Sequence, residues 1–367
     1  MTDKIRVGIL FGGKSAEHEV SLQSAKNVVE AIDKGKYEIV LIGIDKSGKW
    51  YLNDASRFLL NADNPKLVKL SRSTEEIALI QGDREDRLIN VTNGKPECGI
   101  DVIFPVLHGT YGEDGTVQGL LKLTDIPFVG AGVLGSAVGM DKDVMKRLLR
   151  DAGLPIANFL AYRYSEKSVI DYEDVTGMLG TPLFVKPANL GSSVGISKVK
   201  SAAEFEDAVN EAFRFDTKIL IEESIAGREI ECSVLGNQNP IASVPGEVMP
   251  QHEFYSYEAK YIDEKGATLQ IPAKLSDELV VLIQNLALRA FTVLCCEGMA
   301  RVDFFLTEEN NVIVNEINTI PGFTKISMYP KLWDASGISY TELIDRLIQL
   351  AIERHEREKA LATSYSM

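Results

Sequence analysis

Residues 300–323 read ARVDFFLTEENNVIVNEINTIPGF, and this stretch decides how the last third of the chain folds. Two apolar runs flank the polar segment EENN, a pattern typical of a β-hairpin. A turn centred within EENN places Asp303 opposite Glu316 and Arg301 opposite Asn318. Because side chains alternate between the two faces of a strand, we expect these four polar side chains to share one face.

The remaining residues of the hairpin indicate what this face borders. The same alternation sends Val302, Phe304 and Ile317 to the opposite face, and it places Phe305 and Val314 on the polar side. A polar face that also carries large apolar side chains is typical of a cleft wall rather than of open surface. We therefore predict that the hairpin lines a cleft.

The polar face has two interpretations. It can be a solvated surface with a cross-strand ion pair, as in many hairpins. Alternatively, the carboxylates of Asp303 and Glu316 and the amide of Asn318 are oxygen ligands of the kind that Mg²⁺ takes together with water and phosphate. Arg301 then lies where it could hold developing negative charge, and the turn ending at Gly322 offers backbone N–H groups to an oxyanion.

The order of apolar segments predicts an α/β protein of more than one domain. The first third alternates strand and helix patterns, which favours a parallel sheet covered by helices, with residues 52–97 as an insertion. Short strands on both sides of the loop PANLGSS predict an antiparallel hairpin in the middle of the chain. We place the domain boundaries at 1–126, 127–226 and 227–367.

Residues 8–15, GILFGGKS, match the phosphate-binding P-loop pattern, but we reject that interpretation. The residues between the glycines are strand formers, whereas a P-loop needs a loop there. Gly12 and Gly13 instead open a turn at the end of a parallel strand, where open α/β sheets bind ligands. Glu17 follows, either as an acidic residue that favours a helix N-terminus or as a carboxylate for a substrate ammonium.

Two lysines could bracket phosphate groups. Lys186 ends a strand before the small residues of the loop GSS, and Lys142 opens an amphipathic helix. Each lysine taken alone is more often a solvated surface residue. The segment ILIEESI, residues 219–225, ends a strand with two acids that could read an adenine amino group or a ribose hydroxyl.

Composition excludes some partners. The 367-residue chain has a net charge of −14, so neither nucleic acid nor an anionic membrane is an expected partner. No apolar run reaches the roughly 20 residues that span a bilayer, and the N-terminal apolar stretch is expected to be a first strand rather than a signal peptide. The four cysteines form no CxxC pair, which favours reduced thiols in the cytoplasm.

The ordered motifs of the whole chain resemble the D-alanine–D-alanine ligases of the ATP-grasp superfamily, from residue 5 to about residue 353. The motifs that carry the resemblance are FGGKSAEHEVSL, HGTYGEDGTVQG, MDK, FVKPANLGSSVGISKV, LIEESIAGRE, YEAKYID, GMARVDFFL and NEINTIPGFT. The resemblance implies an N-terminal parallel-sheet (pre-ATP-grasp) domain and a two-domain ATP-grasp unit with antiparallel sheets. It also implies ATP as the nucleotide, two Mg²⁺ ions with Mn²⁺ as an alternative, a homodimer, and a role in peptidoglycan precursor synthesis.

The resemblance also assigns residue roles, which we carry over one position at a time. The ATP-side residues are expected to be Lys142 and Lys186 on the phosphates, Glu222, Glu223 and Ile225 at the adenine hinge, Glu229 on the ribose, and Lys260 from a mobile loop at 250–266. The metal ligands are expected to be Asp303, Glu316 and Asn318. The substrate and oxyanion residues are expected to be Glu17, His108, Ser192, Tyr261, Arg301, Gly322, Ser327 and Met328.

The implied reaction joins two D-alanines through an acyl phosphate formed from ATP. Relatives that add D-lactate tend to carry phenylalanine where this chain has Tyr261, so the tyrosine favours D-alanine as the second substrate. Glu223 departs from the family pattern, since some relatives have lysine there. Two alternatives remain at this point: an ATP-grasp ligase for another acceptor such as D-lactate, and a regulatory nucleotide-binding protein without catalysis.

Overall fold

The computed structural model of the chain describes residues 4–54, 58–62, 64, 67–71, 73–191, 194–250 and 267–362. The strands within these residues are β1 (Ile5–Gly12), β2 (Tyr37–Ile44), β3 (Trp50–Asn53), β4 (Leu59–Leu60), β5 (Lys69–Leu70), β6 (Ile77–Leu79), β7 (Leu88–Asn90), β8 (Val102–Pro105), β9 (Phe159–Arg163), β10 (Leu183–Pro187), β11 (Ser197–Val199), β12 (Lys218–Glu223), β13 (Arg228–Gly236), β14 (Ile241–Ala242), β15 (Gly246–Pro250), β16 (Ala267–Gln270), β17 (Gly298–Leu306) and β18 (Val312–Asn318). The helices are α1 (His18–Ala31), α2 (Thr116–Leu123), α3 (Val133–Met140), α4 (Lys142–Asp151), α5 (Tyr172–Leu179), α6 (Ala202–Phe215), α7 (Asp277–Val293), α8 (Met328–Ala335) and α9 (Tyr340–Lys359), with short 3₁₀ helices at Arg84–Asp86 and Tyr164–Val169.

The first sheet is the predicted parallel one. Its strand order is β3-β2-β1-β8, and β1 pairs in parallel with both β2 and β8. Ile9, Leu10 and Phe11 are fully buried inside β1, so the P-loop interpretation was correctly rejected: these residues are strand, not loop. The predicted insertion at 52–97 includes two two-stranded ribbons, β4–β5 and β6–β7.

The second sheet, β11-β10-β12-β9, is antiparallel throughout. Its β10–β11 pair is the hairpin predicted around the loop PANLGSS, with Leu183 opposite Val199. Helix α6 covers this sheet with the buried residues Phe205 and Val209. Because Lys186 lies near the end of central strand β10, the sheet holds its side chain beside β12.

The third sheet, β16-β15-β13-β17-β18 with β14 on β13, carries the hairpin that opened the sequence analysis. Arg301 pairs with Asn318 and Asp303 pairs with Glu316, as predicted. The prediction that Val314 lies on the polar side was wrong. The register shifts by one residue beyond Asp303, so that Phe304 pairs with Val314. This β-bulge leaves one extra residue on β18 and turns Val314 into the core, where it is fully buried.

The hydrophobic cores combine residues that are far apart in the sequence. Met145 and Leu149 of α4 belong to the same core as Ile230 and Val302 of the third sheet. Helix α9, near the end of the chain, contributes Leu343, Ile344, Leu347 and Ile348 to the core of the first sheet. The domain boundaries at 126 and 226 stay a prediction, because neighbouring segments on both sides of them share cores. In the described part of the chain, every helix is too short or too polar to cross a lipid bilayer.

Candidate active site

The polar face of the third sheet is built by strict alternation along β17. Residues 300–306 alternate so that Val302, Phe304 and Leu306 are buried, whereas Arg301 and Asp303 are only partly covered. Strand β13 runs antiparallel beside β17 and places Glu231 directly opposite Asp303. The face therefore gathers carboxylates from three adjacent strands around a single arginine on β17.

The guanidinium of Arg301 is held in one orientation. Its Nε and Nη2 donate to the two carboxylate oxygens of Asp303, at 2.7 and 2.8 Å. Its Nε also lies 2.7 Å from Oε2 of Glu231. The two acids hold the guanidinium in a fixed position, so that its N–H groups are oriented before a ligand binds. The sequence analysis missed Glu231, although the alternation in REIEC placed it on the same face as Glu229.

The predicted metal ligands lie together. Nδ2 of Asn318 donates to Oδ2 of Asp303 at 3.0 Å, and Glu316 pairs with Asp303 across the strands. Among the described residues, no group of three or more His, Cys, Asp and Glu side chains forms a metal cluster by itself. The set of two carboxylates and one amide nevertheless suits Mg²⁺, a hard cation that completes its shell with water and phosphate oxygens. The residues present therefore fit the ion.

Helix α4 carries two lysines, Lys142 and Lys146, and lies across the cleft from the polar face of the third sheet. Its N-cap is Asp141, whose carboxylate accepts hydrogen bonds from the N–H groups of Asp143 and Val144. Lys142, the first helical residue, donates from Nζ to the Leu190 carbonyl at 2.6 Å, and the same Nζ lies 3.7 Å from Oε2 of Glu316. Lys142 thus joins the loop after β10 to the carboxylate face of the third sheet.

Lys186 forms part of a buried ion cluster that was not predicted from the sequence. One oxygen of Glu222 pairs with Lys186 and the other pairs with Lys146, one turn after Lys142 on α4. Burial alone would raise the pKa of Glu222, but the charges of Lys146 and Lys186 outweigh burial and lower it. The spacing of Lys142 and Lys146 at i and i+4 was the only signal in the sequence that both lysines share a helix face.

The other predicted ATP-side residues surround this cluster. The Glu223 carboxylate accepts hydrogen bonds from the N–H and Nδ2 of Asn158, at 2.7 and 3.2 Å, so its side chain fixes the edge of the second sheet. Ile225 lies half-buried in the link between β12 and β13. Glu229 lies on β13 opposite Phe305, on the same face as Glu231. The structure thus brings Glu222, Ile225 and Glu229 along one connection between two sheets.

The turn after β18 is held in place by several hydrogen bonds. The Phe323 N–H donates to Oγ of Ser24 at 3.2 Å, and Ser24 Oγ lies 3.3 Å from Nε2 of His108. Nδ1 of His108 lies 3.0 Å from the Ile320 carbonyl, which can only accept, so Nδ1 carries the proton and Nε2 accepts from Ser24. Burial lowers the pKa of His108 to about 4 against the effect of that hydrogen bond, which keeps the ring neutral. His108 therefore positions the turn.

Gly322 is buried in this hydrogen-bonded turn, between Ile320 and Phe323. No described group accepts a hydrogen bond from its backbone N–H. A buried N–H without a protein acceptor is uncommon, and it is the feature expected of an oxyanion site. The oxyanion role of Gly322 stays a prediction.

Two buried carboxyl groups meet at the end of the first sheet. A Cβ atom at Gly191 would lie 3.4 Å from Oε2 of Glu17 and 3.9 Å from Oε1 of Glu113, so both carboxyl groups lie beside this glycine. Burial, followed by the charge of Glu17, raises the pKa of Glu113 to about 8. Glu113 is therefore neutral at pH 7, and Glu17 supplies the negative charge. The sequence analysis missed Glu113, because an acid in HGTYGEDG reads as a loop residue.

The remaining predicted residues divide into two groups. Ser327 is the N-cap of α8, and its Oγ accepts from the Thr324 N–H at 2.9 Å, while Met328 is buried against Val248 and Leu332. Ser192, Lys260 and Tyr261 lie outside the described residues, as do residues 251–266 of the loop predicted at 250–266.

Comparison with known proteins identifies the family. The family described as "D-ala D-ala ligase N-terminus" matches residues 6–131, and "D-ala D-ala ligase C-terminus" matches residues 148–349. The chain is 58% identical over 363 residues to the D-alanine–D-alanine ligase of Oceanobacillus iheyensis, covering 99% of each chain. It is 57% identical to D-alanine–D-alanine ligase A of Escherichia coli, covering 99% of this chain and all of the other. The chain belongs to the D-alanine–D-alanine ligase family.

Solved structures of the family confirm the fold. The D-alanine–D-alanine ligase from Coxiella burnetii superposes with a TM-score of 0.85 at 42% identity, covering 98% of this chain and 97% of the other. The VanG D-Ala:D-Ser ligase from Enterococcus faecalis superposes with a TM-score of 0.83 at 35% identity, covering 95% of this chain and 100% of the other. The ATP-grasp arrangement is therefore shown, while the family itself contains more than one acceptor substrate.

Proposed function

We propose that this chain ligates two D-alanines to D-alanyl-D-alanine with ATP as the energy source. The observation that carries the proposal is the contact between Lys142 and Glu316: Nζ of the lysine lies 3.7 Å from Oε2 of the carboxylate. This contact places a lysine that is expected to bind phosphate beside the carboxylates that are expected to bind magnesium. The nucleotide side (Lys142, Lys186, Glu222, Glu223, Ile225, Glu229) and the acyl side (Glu17, Arg301, Gly322) then border one cleft.

The reaction needs activation because a carboxylate is a poor acyl donor. A carboxylate oxygen of the first D-alanine attacks the γ-phosphorus of ATP, and ADP leaves. The amine of the second D-alanine then attacks the acyl carbon, inorganic phosphate leaves with its electron pair, and the new amide nitrogen loses a proton. Phosphoryl transfer of this kind is largely a matter of positioning and charge stabilisation, which the lysines Lys142 and Lys186 supply to the phosphates.

Residues of this chain bind three charged groups of the substrates and the intermediate: an ammonium, an oxyanion and a carboxylate. Glu17 holds the ammonium of the first D-alanine, because burial keeps Glu113 neutral and leaves Glu17 as the charged partner. Arg301 and the Gly322 N–H stabilise the oxyanion of the tetrahedral intermediate. Ser327 and the N-terminus of α8 at Met328 receive the carboxylate of the second D-alanine.

Asp303, Glu316 and Asn318 would hold Mg²⁺, two ions by family resemblance with Mn²⁺ as an alternative. When bound, the ions supply positive charge to the phosphate oxygens. Ser192 and Tyr261 are proposed as hydrogen-bonding partners around the first D-alanine, and Lys260 is proposed to reach the γ-phosphate. We further propose that the chain works in the cytoplasm, where its product supplies peptidoglycan synthesis.

A phosphate-release assay tests the proposal. The purified chain is incubated with Mg-ATP and D-alanine, with L-alanine, or without amino acid, and the product is analysed by mass. We expect phosphate release only with D-alanine, with one dipeptide formed per phosphate. Acceptor competition between D-alanine, D-serine and D-lactate at neutral pH then separates the proposed function from other ligases of the family. Release without an amino acid, or a main product other than D-alanyl-D-alanine, would contradict it.

We also propose a homodimer. Helices α2 and α3 contact each other and expose large apolar side chains: Leu123 is 78% exposed and Leu134 is 60% exposed. Leu120 and Val133, on the same two helices, are also exposed. Exposed apolar residues on adjacent helices are typical of a surface that a second copy covers.

A further inference from the structure

Lys146 stands out among the charged residues that the proposed mechanism does not use. It is a fully buried lysine, with a relative exposure of 0%, in a helix whose other fully buried side chains, Met145 and Leu149, are apolar and pack towards the third sheet. An ammonium group is almost never buried without a compensating charge, since its desolvation costs several kcal/mol. Its compensating partner is Glu222, which is itself only 3% exposed.

Glu222 is shared, and this sharing fixes the charge of the cluster. One oxygen of the carboxylate pairs with Lys146 and the other with Lys186. Two ammonium groups on one carboxylate leave a net charge of one positive unit. The neighbouring pair of Lys142 and Glu316 is balanced. The excess positive charge of the α4–β10–β12 cluster therefore resides on the side of Lys186, whose relative exposure of 8% makes it the more accessible lysine of the two.

The two lysines also come from different parts of the fold. Lys186 pairs with Leu220 and Glu222 pairs with Phe184, so the two charged residues are diagonal neighbours on the paired strands β10 and β12. Lys146 comes from α4, whose apolar face packs with the third sheet. Burial lowers the pKa of Lys146, and the Glu222 carboxylate opposes that shift. Glu222 is thus the group that favours the charged form of Lys146, whereas the neighbouring Lys186 disfavours it.

We propose that Lys146 is a positioning residue for nucleotide binding: by neutralising Glu222 from behind, it leaves the Lys186 ammonium free to pair with a nucleotide phosphate. Without Lys146, both oxygens of Glu222 turn to Lys186 and cancel its charge. The inference rests on the proposed function only in assigning a nucleotide phosphate as the anion. Lys146 itself is too deeply buried to touch the ligand.

The test compares a phosphate-bearing nucleotide with one that lacks phosphate. Binding of Mg-ADP and of adenosine is measured by calorimetry for the wild-type chain, for Lys146→Met and for Lys146→Gln, which keeps a donor to Glu222 without its charge. We expect the Kd for Mg-ADP to rise roughly tenfold or more in both variants, as for loss of a charge-assisted hydrogen bond. The Kd for adenosine stays within about twofold of the wild type, since uncharged adenosine has no phosphate for Lys186.

Three further variants separate charge from packing. Lys146→Met/Glu222→Gln is compared with Glu222→Gln alone, because Glu222 is also a proposed adenine-side residue. With no carboxylate left to cancel the charge of Lys186, we expect the double variant to recover the ratio of the adenosine Kd to the Mg-ADP Kd that Glu222→Gln shows. Arg147→Met removes a positive charge from the next position on α4, where the side chain is 58% exposed, and should bind as the wild type does. Unchanged Mg-ADP binding in Lys146→Met, equal weakening of ADP and adenosine, or no recovery in the double variant would overturn the inference. Calorimetry needs no D-alanine, so failure of the ligase function appears separately, as absence of phosphate release by the wild type.

Discussion

At the scale of single residues, Arg301 is the group whose geometry is most closely specified. Asp303 receives two hydrogen bonds from it and Glu231 lies 2.7 Å from its Nε, so lysine cannot reproduce the fork. We predict that Arg301→Lys lowers kcat on the order of 100-fold, the range seen when an oxyanion donor is removed, with little change in the KM for ATP. Steady-state phosphate release measures both constants.

A matched control exists on the same sheet. Arg228 on β13 makes a similar fork to Glu247, at 2.8 and 2.7 Å, but its side chain is 40% exposed and it lies at the other end of the strand pair. Arg228→Lys should leave kcat near the wild-type value. A similar fall of kcat in both variants would mean that Arg301 acts through the stability of the sheet and not on the reaction.

Glu113 makes a second residue-scale prediction, through pH. Burial raises its pKa from 4.5 to about 8, so between these values the unfolded chain loses a proton that the folded chain keeps. The free energy of unfolding therefore falls as the pH rises through this window, by roughly 5 kcal/mol in all. Glu113→Gln stays neutral at every pH and removes this loss.

Thermal unfolding at pH 5 and pH 8.5 checks the sign. We expect the melting temperature of Glu113→Gln, measured relative to the wild type, to be several degrees higher at pH 8.5 than at pH 5. Glu19→Gln is the control: burial opposes ionisation there, but the Lys46 pair and a backbone hydrogen bond outweigh burial and lower its pKa. That variant should gain nothing at high pH. A difference between Glu113→Gln and the wild type that is the same at both pH values would contradict the assignment.

At the scale of elements, helix α4 links the phosphate lysines to two sheets. Asp141 caps it through the N–H groups of Asp143 and Val144, and Lys218 of β12 donates to both oxygens of Asp141 at 2.7 Å. We predict that Asp141→Ala lowers the free energy of unfolding by about 1–2 kcal/mol, as for other lost N-caps. It should also raise the KM for ATP severalfold, because Lys142 begins the helix that loses its anchor.

Helix α5 supplies the control for that prediction. Asp171 caps it in the same way, accepting from the N–H groups of Glu173 and Asp174. Asp171→Ala should cost similar stability in urea unfolding and leave the KM for ATP unchanged. If both variants change the KM equally, the effect of Asp141 is on folding alone.

The elements also show what the sequence could and could not predict. The hairpin register followed from alternation and one turn, so Arg301, Asp303, Glu316 and Asn318 were placed correctly. The bulge that buries Val314 was not predictable, since a single extra residue leaves no mark in a polar–apolar pattern. Lys146 and Glu231 were missed for a related reason: their roles depend on partners in other strands or helices, at least 70 residues away in each case.

At the scale of the whole molecule, helix α9 packs onto the segment that connects α2 and α3. Arg354 of α9 is buried, stacks on the ring of Phe128 and donates to the carbonyls of Phe128 and Gly130. This leaves helices α2 and α3, which flank that segment, with their apolar side chains outward. The net charge of −14 gives no electrostatic reason for two copies to associate, so association depends on this apolar surface.

The proposed dimer is tested by charging that surface. We predict that Leu123→Arg/Leu134→Arg converts a dimer into a monomer in light scattering coupled to gel filtration, because burying two unpaired charges costs several kcal/mol. The matched control is Val281→Arg/Leu282→Arg on α7, where the side chains are 55% and 42% exposed. That control should keep the wild-type mass. A wild-type chain that is monomeric, or a dimer that only the α7 pair disrupts, would show that α2 and α3 are not the interface.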